Sequence, residues 1–262
     1  MRVSPYPRLE KLKIGCVKYL NAKPLIFGYE GEVCFDHPSH LATMLAEGRL
    51  DIALVPIFEL MRNPHYPVVD GVSISAAGPV YSVFLAYRGE LADIKTVSLD
   101  ISSLTSVHLI QCILGEYHGL TPEYISSDTC LNKSAAQLLI GNHAIDFRRA
   151  YGKEYKYLDL GEEWLKQTGL PFVFAAWLIR PGVPDAAAAS EELRALKKHG
   201  IASIPEIVPT ETVYDAAFVT KYLSEYIHFN LGEAEKNGMA KFRELLLKHG
   251  HIANGKPDFV FV

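Results

Sequence analysis

The sequence predicts an α/β protein of two lobes with a ligand cleft between them. Two observations carry this reading. Short apolar runs alternate with amphipathic segments through most of the 262 residues, the pattern of strands alternating with helices. Two apolar strands, residues 82–88 and 172–179, are suited to carry the chain out of a first lobe and back into it. The expected division is residues 1–90 and 182–262 in lobe 1, with residues 91–181 inserted as lobe 2. Hinged two-lobe proteins close around small ligands in this way.

The elements follow in order. Ile14-Gly15-Cys16-Val17 reads as a strand, followed by the corner YLNAKPL (residues 19–25), where Pro24 stands at the start of a helix. Val33-Cys34-Phe35 reads as a second strand. A helix begins at Pro38-Ser39, with Ser39 as its cap, Leu41 and Leu45 on one face and Gly48 closing it. Residues 51–55 form a buried strand stopped by Pro56, and a segment rich in Pro and Gly follows. In GPVYSVFLAYR (78–88), Val83, Leu85 and Tyr87 alternate with Ser82, Phe84 and Ala86, which makes a strand with Ser82 near its start. The second series has a strand at 96–99 and a helix carrying Val107, Ile110, Leu114 and Tyr117 up to Gly119. A strand at 138–141 delivers Asn142 and His143 at its carboxyl end. After the strand at 172–179 the chain is helical: an Ala-rich stretch to His199, then 212 to about 231, then 238–249.

Composition narrows the function classes. Hydrophobic residues make up 49% and charged residues 21%, as in an ordinary globular chain, and the formal net charge is −4. The basic residues are scattered, so no nucleic-acid partner is expected. With no help from the overall field, an anionic ligand has to be held by local donors. The N-terminal residues lack an apolar signal core and no run is long enough to span a bilayer, so a cytoplasmic location and no membrane partner are expected. Cys16, Cys34, Cys112 and Cys130 read as reduced thiols. The ten His residues show no ligand spacing, and His249 and His251 read as surface; no metal is assigned.

On the corner alone, Asn21 has two readings. It can cap the helix, the plainer role, or it can turn its amide toward a ligand at the carboxyl end of a strand. Ser102, Ser103, Thr105 and Ser106 stand where a helix begins, and they too either cap it or receive an anion. Phe172, Phe174 and Trp177 either line the cleft or belong to the core. Asp51, Glu59 and Glu162 are the acidic candidates for a general base by type alone, and each reads more simply as a surface or capping carboxylate.

Several segments together resemble one family, the chorismate dehydratases of the futalosine route to menaquinone. They are YLNAKPL, PSHLATMLAEGRLDIALVP, SISAAGPVYSVFLAYR, SSLTSVHL, LLIGNHAI, GEEWLKQTGLPFVFAAWLIR and YLSEYIHFNLGEAEKNGMAKFRELL, in order over nearly the whole chain. The resemblance implies a type 2 periplasmic-binding-protein-like fold, a dicarboxylate substrate (chorismate), a hydro-lyase reaction and no cofactor. It also implies that Asn21 and Ser82 hydrogen-bond a substrate carboxylate as catalytic groups, and that the substrate's own enolpyruvyl carboxylate removes the proton. Ser103, Thr105, Ser106 and Asn142 are the expected substrate-binding residues. Two departures stand out. The family usually carries Asp where this chain has Asn142, followed here by His143, and often a small or polar residue where it has Leu104. The competing readings are a non-catalytic binder of small carboxylates and the sister dihydroxynaphthoate synthase, which shares the fold; the segment at 161–177 fits the dehydratase better.

Overall fold

Strand pairing divides the chain. The computed structural model describes residues 5–100, 103–126, 136–255 and 257–262; the expected roles of Ser102 and Cys130 fall outside them. In order come β1 (Ile14–Cys16), a 3-10 turn (Leu20–Leu25), β2 (Val33–Phe35), α1 (Pro38–Ala46), β3 (Ile52–Pro56), α2 (Ile57–Arg62) and β4 (Val68–Ala76). Next come β5 (Val83–Tyr87), β6 (Thr96–Leu99), α3 (Leu104–His118), β7 (Glu123–Ser126), β8 (Ala136–Ile140), α4 (Gly141–Tyr151), β9 (Lys156–Asp159), α5 (Leu160–Thr168) and β10 (Phe172–Ile179). The end of the chain holds α6 (Ala186–Ala202), α7 (Ile204–Ile207), α8 (Ala216–Lys221), a π-helical turn (Tyr222–Tyr226) and α9 (Glu233–Lys248).

These strands form two five-stranded sheets, ordered β2-β1-β3-β10-β4 and β7-β6-β8-β5-β9. In each, three parallel strands are followed by one antiparallel strand and an edge strand antiparallel to it in turn. The two-lobe α/β expectation is therefore met. The strands read as connectors are not connectors, however. β5 lies inside the second sheet and β10 inside the first, so the chain changes sheet near residues 77–82 and 169–171, not at 90/91 and 181/182. Both are nearly continuous apolar runs with side chains buried on both faces, as in strands whose sheet is covered on both sides.

Local chemistry accounts for the other differences. No helix starts at Pro24; the chain makes only the 3-10 turn, with Pro24 inside it and Tyr19 at its N-cap. α1 begins at Pro38 with His37 as N-cap, and Ser39 caps nothing. The segment after Pro56, read as a Pro/Gly loop, holds α2 and the nine-residue β4. The helix expected over 212–231 stops at Tyr226, because His228 pairs with Ser75 of β4 through reciprocal backbone bonds of 2.8 Å.

Phe172 and Trp177 are core: both are almost wholly buried, and Phe172 packs edge-on against Trp164 of α5 and Phe242 of α9. His251, expected on the surface, is half-buried against His108 of α3, with ring centroids 4.9 Å apart. Cys16 and Cys112 are buried thiols whose pKa values burial pushes up to about 12, so both stay protonated and inert.

Candidate active site

Asn21, after β1, and Ser82, beside the carboxyl end of β8, stand where the parallel strands end. Asn21 lies within the 3-10 turn that follows β1, and α6 fixes that turn. Gly200 of α6 lets the helix press on it, since a Cβ there would stand 1.8 Å from the carbonyl oxygen of Pro24. Ser82 sits where the chain enters β5 and is fully buried. Beside Ser82 stands Tyr222, 1% exposed, on the π-helical turn. Its hydroxyl lies 2.7 Å from the Ser82 Oγ. Burial, outweighing the polar side chains of Ser82 and Asn21 nearby, pushes the Tyr222 pKa well above that of a free tyrosine, so the phenol keeps its proton. Among the described residues the Oδ1 of Asn21 is buried without a hydrogen-bond partner. A buried acceptor left in this way is costly until something donates to it.

The backbone that presents Ser82 is strained. Tyr81 has φ +67°, and the Ser82 N–H donates to the carbonyl of Val80 at 2.8 Å, closing a γ-turn of the rare positive-φ hand. Such conformations cost on the order of 1–3 kcal/mol and persist only where the surroundings over-determine them. Here Asp159, the N-cap of α5, supplies the constraint. Its carboxylate accepts the N–H groups of Val80 (3.0 Å) and Tyr81 (2.8 Å) as well as those of Gly161 and Glu162. Burial raises the Asp159 pKa, against the pull of these bonds and of Arg148. The Tyr81 ring is also gripped, with the Arg148 guanidinium 4.5 Å from its centroid and Tyr226 stacked 5.4 Å away.

The other expected site residues are elsewhere engaged. Ser103 caps α3: its Oγ accepts the Ser106 N–H at 3.4 Å and lies 3.1 Å from the Ser106 Oγ. Thr105, fully buried, reaches across to the first lobe, its Oγ1 accepting the N–H of Phe58 at 3.0 Å. Asn142, in the first turn of α4, likewise accepts the N–H of Leu20 at 3.2 Å, one residue from Asn21. The acidic candidates are spoken for or exposed. Burial works to raise the Asp51 pKa, but the Lys13 N–H and Arg180 hold it below the usual carboxylate range; it precedes β3, at the opposite end of the strand from the site. Glu59 is buried with both oxygens occupied, by Arg62 and Asn63. Glu162 is exposed on the first turn of α5. Among the described residues, no group of three or more His, Cys, Asp or Glu is arranged to hold a metal ion. No helix among them is long and apolar enough to cross a membrane.

Tyr222, Tyr81 and Asp159 were not singled out from sequence. Asp159 carries a readable signal, an Asp three residues before a Glu at a helix start. Tyr222 carries none, because its position depends on the π-helical turn.

Two lobes that close at the carboxyl ends of their strands around a buried hydrogen-bonding cluster define a protein of periplasmic-binding-protein fold. A Candida albicans protein described as having that generic fold superposes with a TM-score of 0.65 at 13% identity, over 94% of this chain and 92% of its own. The chain belongs to the menaquinone biosynthesis family, whose model matches residues 12–248. It is 29% identical over 260 residues to a chorismate dehydratase of Thermus thermophilus, covering 89% of this chain and 94% of that one. A chorismate dehydratase of Campylobacter jejuni is 28% identical over 231 residues, covering 86% and 88%.

Proposed function

We propose that the protein dehydrates chorismate to 3-[(1-carboxyvinyl)oxy]benzoate, and that Asn21 and Ser82 are the groups that stabilise the reaction's anion. The observation that carries this is that the start of α4 holds the two segments together: the Gly141 N–H donates to the Ser82 carbonyl, and the Asn142 Oδ1 accepts the N–H of Leu20, next to Asn21. The ring carbon bearing the enolpyruvyl ether loses its proton, and the electron pair delocalises through the adjacent double bond into the ring carboxylate. Hydroxide then leaves the next carbon, takes up the proton and departs as water, and the ring becomes aromatic. Donors on the ring carboxylate that tighten as charge gathers there lower the barrier. One Asn21 amide hydrogen and the Ser82 hydroxyl hydrogen are suited to this.

The substrate's enolpyruvyl carboxylate acts as the base in this reading. It is supported by the engagement or exposure of Asp51, Glu59 and Glu162. The protein supplies position and excludes water, which alone can contribute a large share of a rate enhancement.

Incubation of the protein with chorismate, followed by ultraviolet absorbance and mass, tests the proposal. An aromatic product 18 mass units lighter than the substrate is expected, about 10²–10³-fold slower in Asn21→Ala or Ser82→Ala. Chorismate that binds and is not consumed would instead support the non-catalytic binder. Abolished turnover in a folded, substrate-binding variant of one of the three carboxylates would overturn the substrate-base step.

A further inference from the structure

The hydrogen atoms of the buried cluster can be assigned by elimination. Tyr222 is 1% exposed and, among the described residues, its hydroxyl has one hydrogen-bond partner, the Ser82 Oγ at 2.7 Å. A buried hydroxyl hydrogen left without an acceptor is costly. Tyr222 therefore donates to Ser82. A serine hydroxyl owns one hydrogen, and with its oxygen accepting from Tyr222 that hydrogen is directed elsewhere. Among the described residues the only protein acceptor it meets is the Val80 carbonyl at 3.5 Å, the limit of a hydrogen bond. It is available to a ligand.

We infer that Tyr222 is a positioning residue: it orients the Ser82 hydroxyl so that it presents its hydrogen to the carboxylate of the substrate, without touching the reacting atoms itself. Without it, the Ser82 hydroxyl is free to rotate. The π-helical turn is what brings the phenol to this point, and such turns recur at functional sites. The raised pKa of the phenol agrees with a group that holds its proton throughout, as an orienting donor must.

The inference deepens the dehydratase reading and rests on it. Its test compares wild type, Y222F, S82A and the double variant for chorismate turnover, with circular dichroism and thermal melts as controls for folding. Y222F removes one oxygen and keeps the ring. It is expected to lower kcat about 10- to 100-fold, the range for losing a group that orients a contacting one, with KM changed less than about threefold. In the S82A background, Y222F is expected to cost no more than about twofold further, because its effect passes through Ser82. An unchanged kcat in a folded Y222F, or losses that multiply in the double variant, would overturn the inference.

A second measurement needs no variant. In wild-type protein the Tyr222 hydroxyl proton is expected as a slowly exchanging proton resonance that shifts in S82A and on addition of chorismate. Fast exchange with water, or indifference to both changes, would also overturn the inference. If wild-type protein binds chorismate and forms no product, the dehydratase reading fails alone, and the resonance still tests how Tyr222 positions Ser82.

Discussion

After β1 and β3 the first lobe offers backbone N–H groups to the cleft, those of Leu20 and Phe58. At the matching places of the second sheet, after β6 and β8, stand side-chain oxygens, those of Thr105 and Asn142. They pair on the diagonal. The turn after β1 donates to the start of α4 after β8, and the start of α2 after β3 donates to the start of α3 after β6. Two sheets of one design thus meet with opposite chemistry, donors on one side and acceptors on the other. The lobes are complementary to each other as well as to a ligand. Expected site residues that look free in sequence are used here to hold the lobes together.

The comparison breaks first at the crossing between the sheets. Asp159→Ala leaves four backbone N–H groups without their acceptor and a strained turn without its anchor. A stability loss of about 2–4 kcal/mol is expected by thermal or urea unfolding, with turnover lost as Ser82 is displaced. On the first-lobe side, Gly200→Ala drives a methyl group into the Pro24 carbonyl and must shift the turn that carries Asn21. Overpacking of this kind costs about 1–3 kcal/mol, and kcat should fall with it.

The diagonal pairs sharpen the contrast at lower energy. Asn142→Ala and Thr105→Val each remove one acceptor and should cost about 1 kcal/mol, seen as faster hydrogen exchange at the Leu20 and Phe58 amides respectively. Asn142→Asp should act in reverse, slowing exchange at Leu20, since a charged acceptor bonds about twice as strongly.

The smallest effect is a pH dependence. Burial, with a smaller contribution from His251, lowers the His108 pKa to about 4, and its ring stacks 3.8 Å from that of Phe58. The folded state therefore resists protonation that the unfolded chain accepts near pH 6.5. Stability from this group is complete above about pH 6.5 and declines as pH falls toward 4. His108→Phe should flatten that part of a melting-temperature profile by a few degrees.

Much of this was legible in the sequence. β2, β6 and β10 match their expected spans, and α3 ends at Gly119, whose φ of +63° suits glycine. Ser82 was read near the start of a strand, and it stands where the chain enters β5. What escaped depends on the third dimension. β4 was hidden because its pairing with β10 and with residues 228–229 overrides the turn signal of Gly71. Tyr222 was hidden because one wider helical turn decides which way its ring points. The latch roles of Thr105 and Asn142 were hidden because their partners are main-chain groups 47 and 122 residues away.

The placement of β10 has a consequence for how the protein is made. All five strands of the second sheet lie between residues 83 and 159, so that sheet has its full set of strands once this stretch has left the ribosome. The first sheet at that moment has β3 and β4 with the place between them empty, and stays open until Ile179 emerges. The lobe that begins the chain is thus the one completed last. The corner bearing Asn21 can meet Asn142 once α4 is made, but α6 presses on it only after Gly200 has followed.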